Sequence, residues 1–229
     1  MRKSPCPDLP LPVRGLYVIT PDTLDPAEVL SVQVAKAIRG GAMMVQYRDK
    51  RHRGVELTTR IEKVREICKL TRIPFILNDD PLLAKRCDAD GVHIGQQDTS
   101  IEKARRVLGK TKIIGVSCYD SLALAKNAQS MGASYVAFGS FFPSCTKPHA
   151  RSASIDLLQE AKLRLAIPIV AIGGIKPRNA MALIRAGADM VAVVDGVCGQ
   201  ADPERAARSY SRLFRAQNYA EERLHDSQS

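Results

Sequence analysis

Two segments in the second half of the chain carry groups suited to holding phosphate. The run from Gly139 to Lys147 sets Ser144 and Thr146 beside Lys147, and Gly173-Gly174 closes the short apolar stretch from Ile169 to Ile172. Hydroxyls, an ammonium and bare backbone amides are what hold phosphate oxygens. Each segment is weak alone. At the ends of two successive strand candidates they predict a site for a phosphorylated ligand.

Other polar residues fall at the ends of apolar runs. Gln46, Arg48 and Lys50 alternate, so an extended chain points all three to one side. Two cations and an amide on one side suit a diphosphate; a solvated charged loop is the alternative. Asn78-Asp79-Asp80 ends one run, and the next leads through His93 to Asp98. Asp79 and Asp98 could share one hard cation, since Mg²⁺ favours a couple of carboxylates completed by substrate phosphate and water. Alternatively both are helix N-caps, although Asp80 competes for that role and would release Asp79. His93, inside a strand pattern, reads as a buried, hydrogen-bonded residue rather than a ligand. Ser117 could donate to a substrate oxygen, but no Gly-x-Ser-x-Gly elbow surrounds it, which argues against a serine hydrolase. Cys118 reads as packing, with no base beside it. Gly174 lets an anion approach the backbone closely, and Val194-Asp195-Gly196 ends the last strand candidate.

Eight strand candidates carry these residues: Leu16–Ile19, Met43–Gln46, Pro74–Leu77, Gly91–Ile94, Lys112–Val116, Tyr135–Phe138, Ile169–Ile172 and Met190–Val194. Helical patterns separate them, such as Leu57, Ile61, Val64, Cys68 and Ile101, Ala104, Val107, Leu108. A recurring phrase (Gly40-Gly-Ala42, Asp88-Ala-Asp90, Gly132-Ala-Ser134, Gly187-Ala-Asp189) punctuates the step from helix to strand. Eight apolar strands, each followed by a helix, predict an α/β fold, a single-domain closed (β/α)₈ TIM barrel. The rival, an open doubly wound sheet, expects a Gly-rich turn after its first strand, where this chain has Thr20-Pro21-Asp22. The predicted organisation is a loose tail over 1–13, the barrel over 14–218 with a last helix from Pro203 to Gln217, and a polar tail over 219–229. In such barrels chemistry sits at the C-terminal strand ends, where the polar residues above fall.

The chain of 229 residues suits one domain, and 45% hydrophobic with 25% charged content is ordinary for a globular core. No apolar run is long enough to span a membrane, and the N-terminus lacks the apolar region of a secretory signal. Six scattered cysteines without a CxxC pair read as reduced thiols in the cytoplasm, not as a zinc site or disulfide framework. The net charge of +10 fits small anionic substrates. No basic run with interleaved aromatics occurs and Trp is absent, which speaks against nucleic acid. Two anion-holding regions emerge: Gln46, Arg48, Lys50 and Lys147 with Asp79 and Asp98, and Ser144 and Thr146 with Gly174 and the amides after the eighth strand. They imply two phosphorylated substrates, or one phosphorylated at both ends.

In combination and order, these motifs resemble the thiamine-phosphate synthase family over nearly the whole barrel. The resemblance rests on Gln46-x-Arg-x-Lys50, Asn78-Asp79, Val92-His-Ile-Gly-Gln-x-Asp98, Ile114-Gly-Val-Ser117, Ser144-x-Thr-Lys147, Ala171-Ile-Gly-Gly174 and Val193-Val194. It implies condensation of 4-amino-2-methyl-5-pyrimidinylmethyl diphosphate with a thiazole phosphate. Gln46, Arg48, Lys50, Asn78, Ser117 and Lys147 would bind the pyrimidine diphosphate, with Arg48, Lys50, Ser117 and Lys147 the catalytic set. Asp79 and Asp98 would hold Mg²⁺, and Ser144, Thr146, Gly174, Val194 and Asp195 would line the thiazole-phosphate site. It also implies a dissociative mechanism without a general base. Asp195 stands where the family often has serine, Ser140 where proline is usual, and Ser144 where threonine is. Tyr119 occupies the position of a histidine on which a related thiazole tautomerase relies; its presence favours the synthase. A phosphosugar isomerase or lyase on the same barrel is the second enzyme reading, and a nucleic-acid-binding or regulatory barrel the non-catalytic one. Homo-oligomerisation is left open.

Overall fold

In a computed structural model of the chain, residues 11–12, 14–143 and 153–226 are described. The first half runs β1 (Gly15–Ile19), α1 (Ala27–Arg39), β2 (Ala42–Tyr47), α2 (Gly54–Thr71), β3 (Phe75–Asn78), α3 (Pro81–Arg86), β4 (Gly91–Ile94) and α4 (Ile101–Leu108). The second runs β5 (Ile113–Tyr119), α5 (Leu122–Ser130), β6 (Tyr135–Phe138), α6 (Ile155–Arg164), β7 (Ile169–Ile172), α7 (Pro177–Arg185), β8 (Met190–Val193) and α8 (Pro203–Asp226). All neighbouring strands pair in parallel, and β1 pairs with β8, so the sheet closes into a (β/α)₈ barrel.

The period-2 alternation of each strand divides its side chains between two cores. Tyr17, Ile19, Met44, Ile76, Ile113, Tyr135, Ala137, Val170, Met190 and Ala192 fill the barrel interior. Their sequence neighbours, including Leu16, Val18, Val45, Phe75, Leu77, Val92, Ile114, Val136, Ile169 and Val191, pack outward against the helices. Both faces of a parallel strand are therefore apolar, which explains the near-continuous hydrophobic runs. The helices answer with one stripe each: Arg60, Ile61, Val64 and Cys68 on α2, Ile101 and Ala104 on α4.

Two boundaries differ from the sequence reading. Helix α8 continues to Asp226 instead of stopping at Gln217. The stretch past Gln217 is polar but includes Ala, Glu, Arg and Leu, which favour helix; polarity alone does not end a helix. Leu11, assigned to the loose tail, packs against the barrel-interior cluster. In the αβ punctuation the left-handed residue is Gly41 rather than Gly40, and Asp88 takes that conformation without being glycine.

Candidate active site

The inward register of each strand, followed to its C-terminal end, sets the candidate residues around one mouth. Gln46 lies two residues beyond Met44, Asn78 two beyond Ile76, Ser117 two beyond Gly115, and Val194 packs against the interior cluster directly. Gln46 is buried, Asn78 and Ser117 half-buried. Arg48 and Lys50 continue this parity past the end of β2.

Both cations are held by carboxylates. Arg48 Nη1 is ion-paired with Asp22 Oδ2, and the Lys50 ammonium with Asp79 Oδ2. Asp22 Oδ1 also accepts from the Lys50 backbone N–H at 2.7 Å. Thr20, fully buried, donates to the Arg48 carbonyl at 3.0 Å and accepts from its N–H at 2.9 Å. The residue between the cations faces the other way: Asp49 accepts from Tyr47 OH at 2.8 Å, from the Arg51 and His52 amides at 2.8 and 3.0 Å, and contacts His52 Nδ1 at 2.8 Å. Burial alone would raise the Asp49 carboxyl, but these donors outweigh it and hold it down to about 2. Arg60, 3.5 Å from Asp49, donates to the carbonyls of Asp25 and Thr23, tying this knot to the loop that carries Asp22. Sequence reasoning missed Asp22, Thr20 and Asp49. Thr20-Pro21-Asp22 ends the first strand candidate, and nothing local shows that its carboxylate meets Arg48 on the next strand's loop.

Asp79 and Asp98 line a common cleft of about 630 Å³ that runs from the rim between α3 and α4. Neither caps a helix. Asp80 caps α3 by accepting from the Leu82 and Leu83 amides at 2.8 and 3.0 Å, and Ser100 caps α4. Asp79 has a φ of +68°, a left-handed turn that aspartate tolerates better than most residues. Asp98 Oδ2 accepts from the Gly95 N–H at 2.7 Å. Two carboxylates at one cleft are the hard oxygen donors that suit Mg²⁺. Among the described residues, no three His, Cys, Asp or Glu side chains form a fuller metal cage.

Beneath the mouth lies a buried polar layer. Gln46 Nε2 donates to Tyr17 OH at 2.6 Å, Tyr17 OH lies 2.8 Å from Tyr135 OH, and Tyr135 OH 3.0 Å from His93 Nδ1. His93 Nε2 lies 2.8 Å from Ser117 Oγ. His93 is thus buried and hydrogen-bonded, as its strand pattern indicates. Tyr135 reaches it because Gly115 has no side chain; a Cβ there would sit 2.0 Å from the tyrosine ring. Burial pushes the Cys118 thiol up to about 12, so it packs and does not serve as a thiolate. Tyr119 is exposed at a β5 irregularity where the register against β6 shifts.

The opposite side of the mouth is built by the ends of β6, β7 and β8. Phe141 N–H donates to the Ile172 carbonyl at 3.2 Å and Phe142 N–H to that of Gly173 at 3.1 Å. Gly174 has φ +59°, and a Cβ there would lie 2.4 Å from the Pro143 carbonyl oxygen and 2.6 Å from that of Phe142. Its lack of a side chain therefore has a cause the sequence did not reveal: the close passage of the chain after β6. Asp195 is exposed; its carbonyl accepts from Gln200 Nε2 at 2.9 Å. Ser144, Thr146 and Lys147 lie outside the described residues.

A closed (β/α)₈ barrel with paired cations, two carboxylates and glycine-containing turns gathered at the C-terminal strand ends has the form of a barrel enzyme. The thiamine monophosphate synthase family model matches residues 16–197. The chain is 48% identical to a thiamine-phosphate synthase of Methylococcus capsulatus, covering 96% of this chain and 97% of that protein. It is 47% identical to one of Nitrosococcus oceani, covering 93% and 98%. Its fold superposes on a thiamine phosphate pyrophosphorylase of Pyrococcus furiosus with a TM-score of 0.80 at 33% identity, covering 90% of this chain and 97% of that one. The chain belongs to the thiamine monophosphate synthase family, a family of transferases.

Proposed function

We propose that this chain joins 4-amino-2-methyl-5-pyrimidinylmethyl diphosphate to 4-methyl-5-(2-phosphoethyl)thiazole, or to its carboxylated form with loss of carbon dioxide, releasing diphosphate and making thiamine phosphate. The observation that carries this reading is the meeting of Arg48, Lys50, Asp22 and Asp79 at one end of the barrel. A diphosphate entering there exchanges the carboxylate partners of two cations for its own oxygens.

The C–O bond to the pyrimidine methylene breaks first, and its electron pair leaves with the diphosphate. The aminopyrimidine ring delocalises the positive charge left on the methylene carbon. The thiazole nitrogen then supplies its lone pair to form the C–N bond. Arg48 and Lys50 hold the leaving oxygens as their charge grows, which is stabilisation realised in the transition state. Ser117 and Gln46 orient the diphosphate substrate above the polar layer. Mg²⁺, held by Asp79 and Asp98, would neutralise further charge on the diphosphate when bound. On the far side, the turns around Gly174 and Val194-Asp195 receive the thiazole phosphate, with Asp195 acting through its backbone because its carboxylate would repel the anion.

No helix among the described residues is long and apolar enough to cross a membrane, and the described cysteines are free thiols; a cytoplasmic enzyme fits both. The test is direct: incubate the purified chain with both precursors and Mg²⁺, and quantify diphosphate and thiamine phosphate. Diphosphate without the coupled product, or no turnover of either precursor, defeats the proposal.

A further inference from the structure

The barrel of this chain is not filled by aliphatic side chains alone. Five strands contribute one side chain each to a continuous hydrogen-bonded line: Gln46 from β2, Tyr17 from β1, Tyr135 from β6, His93 from β4 and Ser117 from β5. Every link lies between 2.6 and 3.0 Å. The two tyrosine rings meet edge-on, with centroids 5.9 Å apart, and His93 stacks on Tyr135 at 5.6 Å. The ends of the line, Gln46 and Ser117, are two residues proposed above to touch the pyrimidine diphosphate.

The line has a direction. Gln46 presents its NH₂ to Tyr17, and that group donates only. Tyr17 must then turn its single proton to Tyr135, the other oxygen on the line within reach. Tyr135 in turn has its own proton left for His93 Nδ1. Burial holds both tyrosines well above the ordinary phenol value, so neither proton is lost at neutral pH. A neutral imidazole that accepts at Nδ1 carries its proton on Nε2, which donates to Ser117 Oγ. Among the described residues, the hydroxyl proton of Ser117 then has no acceptor inside the barrel.

We propose that His93 is a positioning residue, fixed as the Nε2–H tautomer by Tyr135, and that it holds Ser117 so that the serine proton faces the diphosphate substrate. Gln46 and Ser117 thereby form the two ends of one oriented device. The orientation of a donor aimed at an oxyanion is set by a largely buried chain, and no reorganisation is needed when the ligand arrives. The kinetic part of this inference rests on the proposed reaction; the tautomer does not.

The test has two parts. In ¹⁵N-histidine-labelled, ligand-free protein, long-range ¹H–¹⁵N correlation, with His93 assigned by its disappearance in His93→Gln, should give a bare Nδ1 and a protonated Nε2. In the kinetic part, Tyr135→Phe should lower kcat/KM for the pyrimidine diphosphate by roughly fivefold or more, the size of one misdirected hydrogen bond. In a Ser117→Ala background the same change should add less than about twofold, because the residue it acts through is already gone. His93→Gln, which keeps a donor toward Ser117, should retain more activity than His93→Ala. A proton on Nδ1, or an equal loss from Tyr135→Phe with and without Ser117, overturns the proposal. If Tyr135→Phe does not fold, Tyr17→Phe takes its place, and the tautomer in the unsubstituted protein still decides. A folded chain with no synthase activity would remove the reaction assigned above and leave the tautomer result standing.

Discussion

The ammonium of Lys50 lies on the carboxylate of Asp79, across the gap between the ends of β2 and β3. One of these groups is proposed to hold the diphosphate and the other Mg²⁺, so each occupies the other's place before ligands arrive. The pair is half-exposed on the lysine side, with 53% of that side chain accessible. A pair of this kind is worth roughly 0–1 kcal/mol, small enough for a diphosphate and a divalent cation to separate. Arg48 with Asp22 and Lys50 with Asp79 are charge-matched at rest, and they reassort their partners on binding.

That competition predicts opposite effects of one substitution. Lys50→Met should tighten Mg²⁺ binding to the substrate-free protein roughly two- to fivefold, as the energy of an exposed pair allows. It should also lower kcat/KM roughly a hundredfold, because a donor to the leaving group is lost. Calorimetric titration of the metal beside steady-state kinetics measures both. Unchanged or weaker metal binding would show that Lys50 and Mg²⁺ do not compete.

Asp98 should be separable from the activity as such. Asp98→Ala is expected to raise the Mg²⁺ concentration for half-maximal rate roughly tenfold or more, with partial recovery at high Mg²⁺. Asp98→Asn, which keeps an acceptor for the Gly95 N–H, controls for loss of the turn. A Mg²⁺ profile identical to the unsubstituted chain removes Asp98 from the metal site.

Asp49 governs acid stability. Its folded-state value, about 2, lies below the ordinary aspartate value near 4, so the unfolded chain protonates first as pH falls. The stabilisation is complete above about pH 4 and is lost between there and about pH 2, on the order of 1–2 kcal/mol. Urea unfolding from pH 5 to pH 2.5 should show this component in the unsubstituted protein and not in Asp49→Asn. The variant should also be less stable at pH 7 by roughly 2–4 kcal/mol, since buried Arg60 loses its Asp49 partner. Parallel pH curves for the two proteins would contradict this.

Gly174→Ala should affect one substrate only. The left-handed φ costs an alanine about 1 kcal/mol, and its Cβ would meet two backbone oxygens that cannot swing away. Moving the chain after β6 should raise KM for the thiazole phosphate several-fold, leave KM for the pyrimidine diphosphate within about twofold, and lower Tm by at least roughly 2–4 °C. Equal changes in both KM values would place Gly174 outside the thiazole-phosphate side.

Much of the candidate site can be read from the chain because strand parity is strict. Gln46 is internal by the same count that makes Met44 internal, and Ser117 by the count that passes through Gly115. Asp80 was readable as a cap from position, which released Asp79 from that duty; that Ser100, not Asp98, caps α4 appears only in the structure. Asp22 and Asp49 were not readable. A surface aspartate and one that grips a cation look alike in a sequence; they differ by what lies opposite, and for Asp22 that partner stands on another loop. Tyr17 and Tyr135 are 118 residues apart, and as isolated aromatics inside apolar runs they indicate burial only.

The sequence by itself determined the eightfold alternation, the faces of its strands and the set of polar residues at their C-terminal ends. These follow from local periodicity and from turn and cap preferences, which act over a few residues. Only the tertiary structure decided which charge neutralises which, why Gly174 must lack a side chain, and in which direction a line of five side chains carries its protons. Such relationships depend on distances of about 3 Å between strands far apart in the chain, and closure of the barrel is what sets those distances.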